Sequence, residues 1–210
     1  MNRNILRGMK QPDKTRARLI EAAFAVIYRK GFKAASLSDI LADTGLTKGA
    51  LYHHFPNKKA LGLALLDSIE QAIESLWLQP LADSEDPLAT LKLTMLEAID
   101  QLDDAERVQG CPLNNLAQEM ATLDEEFRLR VAEIYQRWLS GVAEALKRGQ
   151  QAGSVRSDMD AAIAADFYVA ALAGARGLAK SLASAEKLDN CARALGWFLD
   201  GLQAVPKDAT

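Results

Sequence analysis

Apolar side chains recur every three or four residues along most of the chain, the spacing that brings side chains to one face of an α-helix. After residue 13, for example, the apolar positions are Leu19, Ile20, Ala23, Phe24 and Ile27. No stretch shows the strict alternation of apolar and polar residues that is typical of a half-buried strand. The pattern therefore predicts an all-α protein of about nine helices.

Capping residues and helix breakers divide this pattern into separate helices. Ser36, Asn57, Asp86 and Asp124 have side chains that accept hydrogen bonds from the first N–H groups of a helix, and Gly31 is typical of a helix end. The predicted helices span residues 13–30, 36–45, 47–55, 57–79, 87–104, 113–120, 124–149, 158–182 and 186–204.

The second and third of these helices have the pattern of a helix-turn-helix. Thr47 offers a side-chain oxygen to cap the third helix. Beyond it, residues at i, i+1, i+4 and i+5 share one face: Lys48, Gly49, Tyr52 and His53. This face carries a cation, a position without a side chain and two ring donors. It therefore suits contacts with phosphates and base edges in the DNA major groove.

Further DNA contacts are predicted on both sides of the third helix. Ser36 and Ser38 lie where the free N–H groups of a helix N-terminus favour a phosphate. Thr47 is expected to touch a phosphate as well as cap the helix, although a cap alone would also explain it. Lys58 lies in the first turn of the fourth helix, where a cation is unfavourable to the helix dipole, and this supports a binding role. Whether Lys48 reaches a guanine edge or a phosphate stays open.

The net charge of −3 conceals an asymmetry along the 210 residues. Residues 1–60 hold 12 Lys and Arg against four Asp and Glu, a net +8, and the remaining residues carry −11. A charge run alone is also explained by a solvated face, but its coincidence with a helix-turn-helix favours DNA. Residues 1–12 are interpreted as a basic arm, either a DNA contact through Arg3, Arg7 and Lys10 or a disordered leader.

At its N-terminal end the sequence resembles the TetR family of bacterial transcriptional regulators. The resemblance covers about residues 13–62. It is carried by Thr15-Arg16, Ile20-Glu21-Ala22-Ala23-Phe24, Gly31-Phe32, Ser36-Leu37-Ser38-Asp39-Ile40, Thr44-Gly45-Leu46-Thr47-Lys48-Gly49-Ala50-Leu51-Tyr52-His53-His54-Phe55 and Asn57-Lys58-Lys59-Ala60-Leu61.

The resemblance implies a three-helix DNA-binding domain at residues 13–60 and a helical ligand-binding and dimerisation domain at residues 61–205. It also implies homodimers on palindromic double-stranded operator DNA, a small-molecule effector and repression relieved when the effector binds. An activator and a ligand-free architectural DNA binder are the alternatives within the DNA-binding class.

Dimerisation is predicted through the last two helices. Residues 160–180 are rich in alanine and glycine, which allow another helix to approach closely. The apolar face of the final helix is wider than packing against one neighbouring helix requires. These helices are therefore expected to pair with their copies in a second subunit as a four-helix interface. Burial of an alanine-rich helix within one subunit is the alternative.

Effector-binding residues are less sharply indicated, because large apolar side chains also build ordinary cores. The candidates in the expected ligand domain are Trp77, Met95, Ile99, Cys111, Met120, Phe127, Trp138 and Phe167.

Cys111 also supports an alternative mode of sensing. The segment Gly110-Cys111-Pro112-Leu113-Asn114-Asn115-Leu116-Ala117 resembles a family branch with a Gly-Cys-x-x-x-Asn-Leu-Ala segment, some members of which are linked to electrophiles or oxidants. A thiol at a helix N-terminus becomes more reactive. The alternatives are thus a redox-responsive repressor and a buried, inert cysteine.

Other functional classes are not expected. No Gly-rich phosphate loop, metal-ligand spacing or nucleophile with a base indicates an enzyme or a cofactor. Neighbouring residues on a helix point about 100° apart, so His53 and His54 do not form a metal site. Without about 18 consecutive apolar residues or a signal peptide, no membrane partner and a cytoplasmic location are expected.

Overall fold

The computed structural model describes residues 14–42 and 44–204. The predicted all-α fold is confirmed: within these residues the only β-type pairing is one isolated bridge between Val155 and Gln203. The predicted arm, residues 1–12, lies outside the described residues. The helices are α1 (Lys14–Lys30), α2 (Leu37–Leu41), α3 (Lys48–His54), α4 (Lys58–Ile73), α5 (Gln79–Ala82), α6 (Pro87–Asp100), α7 (Asp104–Arg107), α8 (Pro112–Met120), α9 (Glu125–Ala152), α10 (Ala161–Leu182) and α11 (Ala185–Asp200).

The chain divides into two compact units. The first contains the described residues through Ala72 together with Cys111–Ile134, and the second contains Ile73–Gly110 and the described residues from Tyr135 onward. These units are defined by packing. The functional division at residues 60 and 61 stays a prediction.

Predicted helix caps are present at the expected side chains. Ser36 Oγ accepts the N–H of Asp39, and the Asp39 carboxylate accepts the N–H of Ser36, which completes a capping box. Thr47 caps α3 by accepting the N–H of Ala50. Asn57, Asp86 and Asp124 likewise accept hydrogen bonds from the first turns of α4, α6 and α9.

Two departures from the predicted helices have local causes. The predicted helix over residues 87–104 ends at Asp100, and Asp103 starts a separate one-turn helix by accepting the N–H of Glu106. The predicted helix over residues 57–79 changes from α to π geometry over Glu74–Leu78, which contains Trp77. An insertion of this kind is not visible in apolar periodicity.

In the first unit, α1 packs against α2 and α3 around a small apolar core. The predicted inward face of α1 is confirmed, since Leu19, Ile20 and Phe24 are buried. Ile40 of α2 and Leu51 of α3 are buried with them. Burial of these large side chains fixes which face of α3 remains outside.

In the second unit, α10 and α11 pack against each other, and α11 also packs against α6. Tyr168 of α10 is fully buried, and its hydroxyl donates to the carbonyl of Leu91 in α6 at 3.0 Å. Burial raises the pKa of this phenol well above its usual range. The hydroxyl therefore acts as a fixed donor within the core.

Helix α10 bears on the expectation that the chain has no transmembrane helix. Among the described helices, it is the one that is long and apolar enough to cross a membrane by length and composition, with a mean hydropathy of 1.3. The expectation was based on unbroken apolar runs, and Asp166, Arg176 and Lys180 interrupt this helix. Core helices have the same composition, and 44% of the apolar window is buried within the protein.

Candidate DNA-binding interface

Helix α3 presents the predicted recognition face to solvent. Its inward residue, Leu51, is 0% exposed, whereas Tyr52 is 52% exposed. Lys48, Gly49 and His53 are exposed as well. A Cβ atom at Gly49 would contact only Thr47 Oγ1, at 3.7 Å, so the backbone at this position is open to an approaching partner.

The turn before α3 is fixed by hydrogen bonds at Thr44. Its hydroxyl donates to the carbonyl of Leu41 at 2.9 Å and accepts the N–H of Leu46 at 3.0 Å. Arg18 of α1 donates to the Thr44 carbonyl at 2.6 Å. Gly45 adopts a φ of +65°, which favours glycine. The turn between α2 and α3 is therefore held by two side chains, Arg18 and Thr44, and by the backbone conformation of Gly45.

A cation–π contact holds the other end of α3. The guanidinium carbon of Arg16 lies 5.3 Å from the centroid of the Phe55 ring, and Phe55 is buried. In the sequence, Arg18 stood out only for its basic charge, and Arg16 for its charge and its place in the family resemblance. Because they are only two residues apart, the sequence did not indicate that one contacts the turn before α3 and the other contacts the residue after it.

The N-terminus of α2 is a small polar network. Besides the capping box, Ser36 Oγ donates to Asp39 at 2.8 Å, and Lys30 Nζ lies 2.9 Å from Asp39 Oδ1. The hydrogen bond from Lys30 and those from Ser36 hold the pKa of Asp39 well below its usual range. Ser36 and Ser38 are exposed, as a phosphate contact requires.

Lys58 is placed differently from the other predicted DNA contacts. Its ammonium donates to the carbonyl of Lys33 at 3.1 Å and lies 4.7 Å from the centroid of the Phe32 ring. Burial lowers the pKa of Lys58, and the nearby Glu119 carboxylate opposes that shift. The side chain thus has partners within the first unit, and its phosphate contact stays a prediction.

Glu119 is a residue of this unit that the sequence analysis missed. Its carboxylate accepts the backbone N–H groups of Phe32 and Lys33, which follow α1. Its position offered a weak signal: Glu119 lies in the last turn of α8, where the helix dipole disfavours a carboxylate. Pairing with a segment 86 residues away was not readable from that signal.

The candidate effector residues of the second unit include an aromatic cluster. The rings of Trp77 and Trp138 are 5.5 Å apart, and Tyr168 meets Trp77 edge-on at 6.5 Å. Trp138 is 3% exposed, and its indole N–H is the one buried side-chain polar group of the described residues that has no hydrogen-bond partner. A buried donor of this kind costs about 1–3 kcal/mol.

The other candidate effector residues lie in different surroundings. Met95 and Ile99 line a groove of about 340 Å³ between α6 and α11. Phe167 is 52% exposed and contacts the ring of Phe198 at 4.6 Å. In the first unit Met120 is buried, and Phe127 packs against Phe32 as a core residue. Within the second unit, Trp77 and Trp138 are in contact, whereas Met95 and Ile99 line the groove beside α11 and Phe167 is exposed.

Cys111 occupies the N-cap position of α8, immediately before Pro112. Its side chain is 8% exposed and makes no cap hydrogen bond. The thiol-based alternative gains no support from this placement, which agrees with a buried structural cysteine. Among the described residues there is also no group of three or more His, Cys, Asp or Glu that could hold a metal ion.

Two family models match the chain. The model described as "Bacterial regulatory proteins, tetR family" matches residues 19–65, which include all of α2 and α3. The model described as "Tetracyclin repressor-like, C-terminal domain" matches residues 87–195. The chain belongs to the TetR family. It is therefore a DNA-binding transcriptional regulator, as the helix-turn-helix pattern predicted.

Relatives in this family match along most of their length. The HTH-type transcriptional repressor DhaR of Mycobacterium sp. (strain GP1) is 29% identical over 76% of this chain and 79% of that protein. The transcriptional regulator AcuR of Cereibacter sphaeroides is 30% identical over 78% and 75%. A crystal structure of regulatory protein TetR from Rhodobacter sphaeroides has a TM-score of 0.80 at 28% identity, covering 88% of this chain and 98% of that one.

Proposed function

We propose that this TetR-family regulator is a homodimeric repressor that binds a palindromic operator and releases it when a small effector binds. The observation that carries the proposal is the exposed α3 face of Lys48, Gly49, Tyr52 and His53 on a capped and braced helix-turn-helix. Its similarity to the repressor DhaR supports repression. We place its action in the cytoplasm, by binding rather than by catalysis.

On DNA, α3 enters the major groove. Gly49 brings the helix backbone close to the base edges, and Lys48 contacts a guanine or a phosphate. Tyr52 and His53 donate to phosphates and set the register, together with Thr47, Ser36 and Ser38 at the two helix N-termini. In a dimer, two such helices read half-sites about one helical turn, ~34 Å, or somewhat more apart.

The dimer forms through α10 and α11. Ile163, Phe167 and Leu178 are large apolar residues exposed along one side of α10, and Trp197 of α11 is 68% exposed. Gly174, on the same side, has no atom within 4 Å of a Cβ position, so a second helix can approach closely there. An exposed apolar face of this length favours a protein partner, and two-fold symmetry makes a second copy the simplest one.

The effector binds beside Trp138. Its partnerless indole N–H is a donor, so the effector supplies a hydrogen-bond acceptor. The neighbouring rings of Trp77 and Trp138 favour a flat, apolar molecule. The Tyr168 hydroxyl is already committed to Leu91 and is not available to it.

The test begins with the operator. The full-length protein selects sites from random double-stranded DNA and from the region upstream of its own gene, and fluorescence anisotropy then measures affinity. We expect a palindrome whose affinity falls steeply with salt, as phosphate contacts require. Lys48→Ala should weaken binding by about tenfold or more. Recovery of no sequence-specific site would contradict the proposed function.

A reporter gene behind that operator tests the sign of regulation. Lower expression with the regulator present indicates a repressor, and higher expression indicates an activator. A panel of aromatic compounds that carry an acceptor oxygen is then added. At least one member should dissociate the protein from the operator and restore expression. If none does, the class of effector assigned here is wrong.

A further inference from the structure

One carboxylate of α8 holds the backbone between α1 and α2. Glu119 Oε2 accepts the N–H of Phe32 and Oε1 accepts the N–H of Lys33, each at 2.7 Å. We propose that Glu119 is a positioning residue for operator recognition: it fixes the reading head, defined as α1–α3, to residues 111–134 of the same unit. This inference rests on the proposed function and adds to it the residue that sets the register of the head.

The geometry is that of a bidentate, charge-assisted contact. Each carboxylate oxygen takes one of two successive N–H groups, so the pair resists rotation as well as separation. The helix end makes room for it, because Gly31 adopts a φ of +87° and a Cβ there would lie 3.0 Å from Glu119 Oε2. Glycine at this position therefore serves both the turn and the contact.

The same two residues are held by other atoms as well. The ring of Phe32 packs against Phe127 at 4.9 Å and fills the space that a side chain at Gly62 would need. The carbonyl of Lys33 accepts a hydrogen bond from Lys58. Phe32 and Lys33 are thus attached through a ring, a carbonyl and two N–H groups. Of these contacts, the two hydrogen bonds to Glu119 depend most strongly on the direction in which the groups approach each other.

The place of this attachment gives it consequences for DNA. Phe32 and Lys33 are followed closely by Ser36, the cap of α2 and a proposed phosphate contact. A displacement at Lys33 is therefore passed along a short connection to α2 and α3. A dimer reads two half-sites at a fixed separation, so a loosely held head loses its preference for one spacing. Glu119 opposes this loss although its place in the last turn of α8 is unfavourable to the helix dipole.

The test compares spacing preference in full-length variants. Glu119→Gln keeps the shape but turns an N–H₂ group towards one backbone N–H, and Glu119→Asp keeps the charge but is one methylene too short. Glu125→Gln is the matched control, because that carboxylate pairs with Arg128 of its own helix. Each protein is titrated with the selected operator and with versions one base pair longer or shorter at the centre.

We expect wild type and Glu125→Gln to prefer the selected spacing by about tenfold or more, and both Glu119 variants to lose most of that preference. Urea unfolding of every variant gives its stability separately. If the Glu119 variants bind the operator more weakly but keep the spacing preference, this inference alone is overturned, and Glu119 has only a structural role. Failure of the wild type to select any palindrome would overturn the proposed function, and this inference with it.

Discussion

Lys30 Nζ lies 2.9 Å from Asp39 Oδ1, which joins the last turn of α1 to the capping box that starts α2. The pair lies on the surface, so its contribution at neutral pH is modest and screened by salt. Its importance is positional. Asp39 also accepts hydrogen bonds from the backbone and the hydroxyl of Ser36, and one carboxylate therefore organises the N-terminus at which a phosphate is proposed to bind.

This arrangement predicts a particular pH dependence for Asp39→Asn. The pKa of Asp39 is lowered in the folded protein, so its stabilising effect is complete above the unfolded pKa of about 3.9 and is lost as pH falls towards the folded pKa. The variant should be less stable than wild type at pH 7, and the gap should narrow below about pH 4. Urea unfolding across this range measures it, with Asp83→Asn as control. A difference in stability between wild type and Asp39→Asn that stays constant down to pH 3 would contradict this role of the Asp39 carboxylate.

Gly31→Ala and Gly45→Ala should differ although both place alanine at positive φ. Strain of that kind costs about 1–3 kcal/mol. At Gly45 nothing lies within 4 Å of the added Cβ, whereas at Gly31 it would press on the Glu119 carboxylate. We expect the larger loss of stability in Gly31→Ala, accompanied by weaker operator binding. Denaturant unfolding measures the stability and anisotropy measures the operator affinity. Equal losses of stability in the two variants would show that the Glu119 carboxylate moves aside without a loss of stability.

Gly49→Ala should separate stability from function. Alanine favours a helix over glycine by about 0.8–1 kcal/mol, and a Cβ at this position meets no tight contact within the protein. The variant should therefore unfold at higher denaturant concentration while its operator affinity falls by about tenfold. Unchanged affinity would mean that the α3 backbone stays away from the DNA.

Phe167→Glu should dissociate the proposed dimer, since it places a charge in the exposed apolar face of α10. Light scattering at micromolar concentration should show a dimer for wild type and a monomer for the variant. Leu129→Glu is the matched control, an equally exposed apolar residue in the first unit. A monomeric wild type, or a dimeric Phe167→Glu, would argue against this interface.

Trp138→Phe removes the buried donor without a partner but leaves a smaller ring in the core, so its two effects on stability oppose each other. The same change should lower the affinity for the effector by about tenfold. The measurement is the effector concentration that releases half of the bound operator. Wild type, titrated with the same effector on the same operator, is the reference. If Trp138→Phe responds to the effector as wild type does, the binding site lies elsewhere.

The sequence by itself determined the features that depend on neighbours along the chain. Apolar spacing and caps such as Ser36 and Thr47 act within one or two helical turns, and they were sufficient to place α1–α3 and the exposed face of α3. The motif within residues 44–55 was also sufficient to indicate DNA binding, because its residue types and their spacing share one short helix.

Only the tertiary structure decided which distant groups meet. Glu119 and Phe32 are 87 residues apart, and Arg18 and Thr44 are 26 apart, so nothing in local periodicity pairs them. The partners of Lys58 and the lack of a partner at Trp138 have the same origin. A side chain's hydrogen-bonding type is fixed by its identity, whereas its partner is fixed by how the helices pack, and packing depends on the whole chain.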